Sequence, residues 1–230
     1  MWIEGLEQRA LLSASLSGGV LTVTGTAGND NIQIRNGKDE TTGAAQIVVI
    51  ESVRPATKGE TPVAPTVTRF AAADVTSSVV NAGDGNDRVW LKGNRKSPFT
   101  VKATINGGAG DDRLAGAAGN DTINGDAGND VIDGGDGDDL LNGGDGNDRI
   151  NGGRGADSLN GDAGNDYLLA ADRASTDVID GGANDPVTAT TGTKRHRVRG
   201  NPGDVAVIDT GDTVSNVEKT LTVKPRTPKA

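Results

Sequence analysis

A chain of 230 residues with a formal charge of -9, 35 glycines and about 2% aromatic residues is long enough for one or two small domains. It lacks the large side chains that fill an ordinary core, each of which stabilises by roughly 1.5–3 kcal/mol when buried, and its glycines raise the entropy cost of ordering the backbone. With no cysteine, disulfides, thiolate metal sites and thiol catalysis are excluded together, no run of about 18 apolar residues spans a membrane, and a non-thiolate metal is the first candidate for holding the chain together.

The N-terminal stretch, Met1-Trp2-Ile3-Glu4-Gly5 followed by residues 6–13, lacks the basic start and continuous apolar run of a secretory signal peptide. Strand-like runs then recur at 20–24, 32–35, 46–53, 66–70, 78–80, 89–91 and 100–105. They are separated by turn and breaker residues such as those at 58–62. Residues 1–80 are predicted to form a β-rich capping region. Trp2 and Trp90 are read as packing residues rather than ligand platforms.

From Gly107 the chain divides into nonapeptides without a gap: GGAGDDRLA, GAAGNDTIN, GDAGNDVID, GGDGDDLLN, GGDGNDRIN, GGRGADSLN and GDAGNDYLL, ending at Leu169. Positions one and four are glycine in all seven. Position six is always aspartate, at Asp112, Asp121, Asp130, Asp139, Asp148, Asp157 and Asp166. Position eight is always aliphatic, at Leu114, Ile123, Ile132, Leu141, Ile150, Leu159 and Leu168. An earlier copy, AGDGNDRVW at 82–90, places Asp87 and Val89 equivalently, and a fainter one, GTAGNDNIQ at 25–33, places Asp30 and Ile32. Residues 81–169 are therefore taken as one repeat region, with the strict array at 107–169. Asp87 is set off from it by an irregular insert at 91–106.

Each position has an expected task. Glycines at one and four permit positive φ and close approach of successive turns. The Asn or Asp frequent at position five tolerates left-handed geometry. The last three residues form a short strand whose middle member points inward. One inward aliphatic per repeat cannot bury a face alone, so repeats must stack. Stacking then lines up carboxylates: 14 aspartates between Gly107 and Leu169 face Arg113, Arg149 and Arg154, giving this segment about -11 and the remainder about +2. Without a cation such rows repel. Calcium takes six to eight oxygen ligands, both carboxylates and the carbonyls that glycine-rich turns expose, whereas magnesium demands tighter octahedral geometry and dehydrates reluctantly.

Other chemistries fit poorly. The turns' carboxylates repel phosphate and no Walker lysine follows. An EF-hand needs a glutamate at loop position twelve, and no glutamate lies between Glu60 and Glu218. One histidine and no cysteine exclude an HExxH zinc site and a thiol nucleophile, and no G-x-S-x-G elbow is present. The single histidine, His196, lies in a basic stretch at 194–199 read as a solvated loop. No catalytic constellation is found, and the chain is expected not to be an enzyme.

Seven in-phase copies of G-G-x-G-x-D-x-U-x over about a quarter of the chain resemble the RTX, or haemolysin-type, calcium-binding family. The resemblance implies an all-β fold, a right-handed parallel β-roll or solenoid in which two nonapeptides make one coil, with irregular β caps at both ends. It implies calcium held between the turns of repeats i and i+2 by position-six aspartates and turn carbonyls. Asp112 would share an ion with Asp130, Asp121 with Asp139, Asp130 with Asp148, Asp139 with Asp157 and Asp148 with Asp166. That makes about five ions or more, with Asp87 as a further ligand of uncertain partner. Seven repeats would stack to roughly 17 Å at 4.8 Å per strand. The family also implies type I export, and residues 6–13 resemble a short segment near the N-terminus of some bacterial surface proteins.

After Leu169 the pattern decays through 177–182, and strand-like runs return at 204–209 and 213–223 before a loose basic tail at 224–230. Residues 170–230 are predicted to form a C-terminal β cap. The expected role is a non-catalytic, calcium-binding module, secreted or at the cell surface, that folds on binding calcium. A cell-surface or matrix component is a possible partner, with no nucleic acid, no membrane span and no prediction of oligomeric state. Two alternatives stand beside it: an adhesive or matrix structural solenoid, marked by a flat exposed ladder of threonine or aromatic side chains, and the non-catalytic tail of a larger secreted hydrolase or toxin.

Overall fold

A computed structural model describes residues 12–53, 64–93, 97–170, 176–182, 205–208, 213–215 and 220–222. Trp2, most of residues 6–13, the loop at 58–62, His196 and the tail at 224–230 lie outside the described residues.

The chain passes back and forth between two sheets. The first holds, in spatial order, β1 (Ser13–Ser17), β2 (Val20–Thr24), β6 (Ser77–Asp84), β8 (Lys102–Ala109), β10 (Thr122–Ala127), β12 (Leu140–Asp145), β14 (Ser158–Ala163), β16 (Val178–Asp180) and β18 (Thr213–Ser215). The second holds β19 (Thr220–Thr222), β17 (Val205–Ile208), β15 (Tyr167–Leu169), β13 (Arg149–Arg154), β11 (Val131–Asp136), β9 (Arg113–Ala115), β7 (Arg88–Lys92), β3 (Asp30–Lys38), β4 (Ala45–Val53) and β5 (Thr66–Ala71). Within the array, neighbours are parallel and 18 residues apart: Ile123 faces Leu141, which faces Leu159, and on the other sheet Leu114, Ile132, Ile150 and Leu168 stand in line. Two nonapeptides thus make one coil, and the fold is the parallel all-β roll the repeats predict. The same parallel stacking continues outward to β2 and β3 on one side and to β18 and β19 on the other.

The core is a double column. All seven position-eight side chains of the array are at most 2% exposed, because alternation along each strand turns position eight inward and seven and nine outward. Most array strands are longer than the three residues expected. β10, β11, β12, β13 and β14 each run through positions seven to nine and on into positions one to three of the next repeat.

The N-terminal end is closed by antiparallel structure. β1 folds on β2 through Gly18 and Gly19, at φ 58° and 84°, the paired positive values of a tight two-residue hairpin. β4 and β5 extend β3 as a meander and pack Ile47 and Val49 on Ile32 and Ile34. Ser-Ala-Ser-Leu-Ser in β1 carries no β-branched or aromatic residue, so nothing in the sequence marked it as a strand.

The strand-like run at 100–105 is present as β8, which begins at Lys102, runs beyond the insert at 91–106 to Ala109 and pairs with β6 to complete a coil, with Phe99 just before it buried. The reading of Trp90 as a packing residue is corrected. Trp90 is not a core residue. It occupies an outward position nine and is 38% exposed.

Candidate metal centre

The turns depend on glycine, but not for the reasons expected at every position. Positive φ occurs at positions two and four, as in Gly135 and Gly137 (111° and 137°) and Gly144 and Gly146 (103° and 132°). A Cβ at Gly144 would strike the carbonyl oxygen of Asp126, and one at Gly146 that of Gly128. The carbonyls at positions two and four are therefore aimed along the stack at the next turn. Asp126 and Asp162 take the same left-handed conformation at position two without being glycine, at φ 73° and 64°, a conformation aspartate tolerates better than most residues. Glycine at position one serves space rather than φ: a Cβ on Gly134 would collide with Asp139 Oδ2 and the Gly152 carbonyl.

Position five is not left-handed either, since Asp126 and Asp162 are the only non-glycine residues with positive φ among the described residues. Its side chain instead clips one turn to the next. Asn29 accepts from the Asn86 N–H, Asn86 from Asp111, Asp111 from Asn129, Asn129 from Asn147 and Asn147 from Asn165, at 2.7–3.0 Å. On the opposite edge Asn120 and Asp138 do the same until Ala156, which has no oxygen to pass on. Arg154 reaches Asp136 at 3.5 Å, an exposed pair that contributes little.

Position six forms a second ladder running the other way. Each aspartate N–H donates to Oδ1 of the aspartate one coil further on: Asp112 to Asp130, Asp130 to Asp148 and Asp148 to Asp166 in one row, Asp121 to Asp139 and Asp139 to Asp157 in the other. The distances are 2.7–2.9 Å and every one of these aspartates is at most 3% exposed. Asp87 joins the first row directly below Asp112, 25 residues away because the insert lengthens that coil.

The rows are also longer than the array. The Asp30 N–H donates to Asp87 Oδ1, and the Asp157 N–H to Asp177 Oδ1. Neither Asp30 nor Asp177 was among the sequence-predicted ligands, although Asp30 sits in the faint GTAGNDNIQ copy and Asp177 precedes Val178-Ile179-Asp180-Gly181 in the phase of positions six to one. The second row does not extend backward in kind: Ala103 occupies position six there and donates its N–H to Asp121 Oδ1.

These carboxylates are buried. Asp112, Asp130, Asp139 and Asp148 each keep Oδ2 buried with no hydrogen-bond partner. Burial pushes Asp112 and Asp148 up to about 7, and Asp130 and Asp139 up to about 6. The single N–H on each Oδ1 offsets only part of that, and the charges of neighbouring aspartates add to the rise. Asp121 is raised as well, by burial first. Glu51 on β4 is raised by burial and then by the charge of Asp30. A buried carboxylate must be neutralised by a proton or a cation.

The donor set suits one kind of ion. Among the described residues no three carboxylate, histidine or cysteine side chains converge on one point, so a cation seated between two stacked turns would have to draw on the two facing aspartates and on backbone oxygen. All-oxygen coordination rich in carbonyls fits calcium, not the imidazole and thiolate preferences of zinc or copper.

Comparison with known proteins gives one finding. The family model described as the RTX calcium-binding nonapeptide repeat, four copies long, matches residues 106–141 and again 133–168. Neither the comparison with curated proteins nor that with solved structures returned a match. With the nonapeptide phase, the parallel coils and the buried aspartate rows in place, residues 106–168 are an array of RTX calcium-binding nonapeptide repeats.

Proposed function

We propose that this protein is a secreted or cell-surface, non-catalytic module whose roll is completed by calcium, with ions seated between successive turns along both aspartate rows. The observation that carries this reading is the set of Oδ2 atoms of Asp112, Asp130, Asp139 and Asp148, buried and unpartnered in the protein alone. A bound cation satisfies them and cancels the repulsion between stacked carboxylates. Asp87, Asp112, Asp121, Asp130, Asp139, Asp148, Asp157 and Asp166 are the ligands, and Asp30 and Asp177 extend the rows. Counting one ion between each pair of stacked aspartates gives about eight sites: five from Asp30 to Asp166 in one row and three from Asp121 to Asp177 in the other. Residues 1–80 and 170–230 act as caps on the repeat region at 81–169, since an uncovered solenoid end is an open sheet edge.

Extracellular modules work at 10⁻⁴–10⁻³ M calcium, far above cytosolic levels. A chain that needs metal to fold would stay unfolded in the cytosol and fold after export, with binding free energy serving as folding free energy. Among the described residues no helix is long and apolar enough to cross a membrane.

The test is isothermal titration of the full chain with calcium, beside Asp130→Ala/Asp148→Ala. The double variant removes carboxylates from three neighbouring gaps and is expected to bind about three fewer ions. Equal stoichiometry in the two proteins would overturn the assignment of these ligands.

A matrix-binding structural solenoid is the second reading, and one observation favours it. On the outer face of the first sheet, position nine forms an amide ladder in which Asn106 donates to Asn81, Asn124 to Asn106 and Asn142 to Asn124, at 2.7–2.8 Å. This is a flat repeated surface, though of asparagine rather than threonine or aromatic side chains. A chain folded in EGTA and indifferent to calcium would support this second reading over the first.

A further inference from the structure

The N-terminal cap places a carboxylate that the repeat pattern does not contain. Glu51 lies on β4 directly opposite Ile32 of β3, while Asp30 stands two residues before Ile32 on the same inward face. In the second sheet the order is β9, β7, β3, β4. Glu51 therefore stands one strand beyond Asp30, as Asp30 stands one strand beyond Asp87. A diagonal cross-strand pair of this kind is within reach of a long side chain. Glu51 is 1% exposed, and neither Oε1 nor Oε2 has a hydrogen-bond partner. Asp30 is fully buried beside it and already takes the Thr26 N–H at 2.6 Å and the Thr26 hydroxyl at 3.0 Å on its carboxylate.

We propose that Glu51 and Asp30 form a terminal calcium site, in which the cap hairpin supplies the carboxylate that closes the first aspartate row. A structural glutamate in a β-hairpin core would be expected to meet a basic group or a donor, and Glu51 meets neither. From Asp87 to Asp148 each carboxylate in the row has another one coil away on each side. Glu51 provides that neighbour for Asp30 from a strand with no nonapeptide phase. The longer side chain suits the position, since Glu51 is displaced two residues along its strand from the register of Asp30. In this arrangement calcium ties the cap to the roll, so that the cap closes only over a loaded row. The inference rests on the calcium reading above.

Calcium titration of the full chain, wild type against Glu51→Gln and Glu51→Leu, tests it, with thermal melts of each at low and at saturating calcium. Both variants are expected to bind one ion fewer than wild type, and to gain less in melting temperature than wild type as calcium is raised. Retention of the full ion count by either folded variant, with an unchanged calcium-induced shift, would overturn the terminal site and leave Glu51 as a protonated carboxyl of the cap. A wild-type chain that binds no calcium would overturn the parent reading, and this inference with it.

Discussion

At position one of each repeat, glycine answers to crowding. Gly134 has no positive φ, yet a side chain there has nowhere to go between Asp139 Oδ2 and the Gly152 carbonyl. Gly43, in the β3–β4 turn, has φ 72° and open space around its Cβ direction. Gly43→Ala is therefore expected to cost about 1 kcal/mol for the left-handed conformation. Gly134→Ala, which forces the aspartate or the neighbouring backbone to move, is expected to cost about 2–3 kcal/mol as an overpacked site. Urea unfolding in saturating calcium compares them, and the reverse ranking would contradict the crowding argument. The invariant glycine was legible in the sequence, but its cause was not, because a letter pattern does not separate a backbone that needs positive φ from one that lacks room. Position five shows the same limit. Asn and Asp there were legible as turn residues, whereas their bond to the next turn's N–H exists only once coils stack.

At the scale of the strand, the inward column depends on alternation. Leu141 is fully buried between Ile123 and Leu159, while its neighbour Leu140 is 43% exposed. Leu141→Ala is expected to cost 2–5 kcal/mol and Leu140→Ala about 0.5 kcal/mol, measured by denaturant unfolding of the calcium-loaded protein. Equal losses would mean that the register is wrong. This column was fully legible, since one aliphatic every nine residues in fixed phase has a single inward solution. Three features were not. Positions one to three are poor in strand-forming residues and become strand because a neighbouring coil presents its backbone in register. β1 carries no apolar pattern strong enough to read. The partnership of Asp87 with Asp112 was hidden by an insert that changes the spacing from 18 to 25 residues without changing the stack.

At the scale of the whole molecule, acid and calcium are expected to stand in for one another. The folded-state values near 6 and 7 for Asp130, Asp139, Asp112 and Asp148 lie above the ordinary carboxylate value of about 3.9. Between those limits the folded, metal-free roll binds more protons than the unfolded chain, so its stability falls as pH rises from about 4 to about 7. The β-signal in EGTA should therefore grow when the pH is lowered from 7.5 toward 5, and calcium binding near pH 6 should release protons. A metal-free roll that gains stability with rising pH over that interval would contradict the burial argument. The charge imbalance behind this behaviour was legible from composition, because the acidity is concentrated in the array. Which carboxylates are buried, and that Asp30, Asp177 and Glu51 join them, required the coils.

The most direct test of the central claim is far-UV circular dichroism of the purified chain at neutral pH in EGTA, titrated with calcium and separately with magnesium. A chain held open by its own carboxylates is expected to show weak β-signal in EGTA and a calcium-specific gain between micromolar and millimolar levels, with magnesium far less effective. A spectrum already fully β in EGTA and unchanged by calcium would contradict the claim that metal completes the roll.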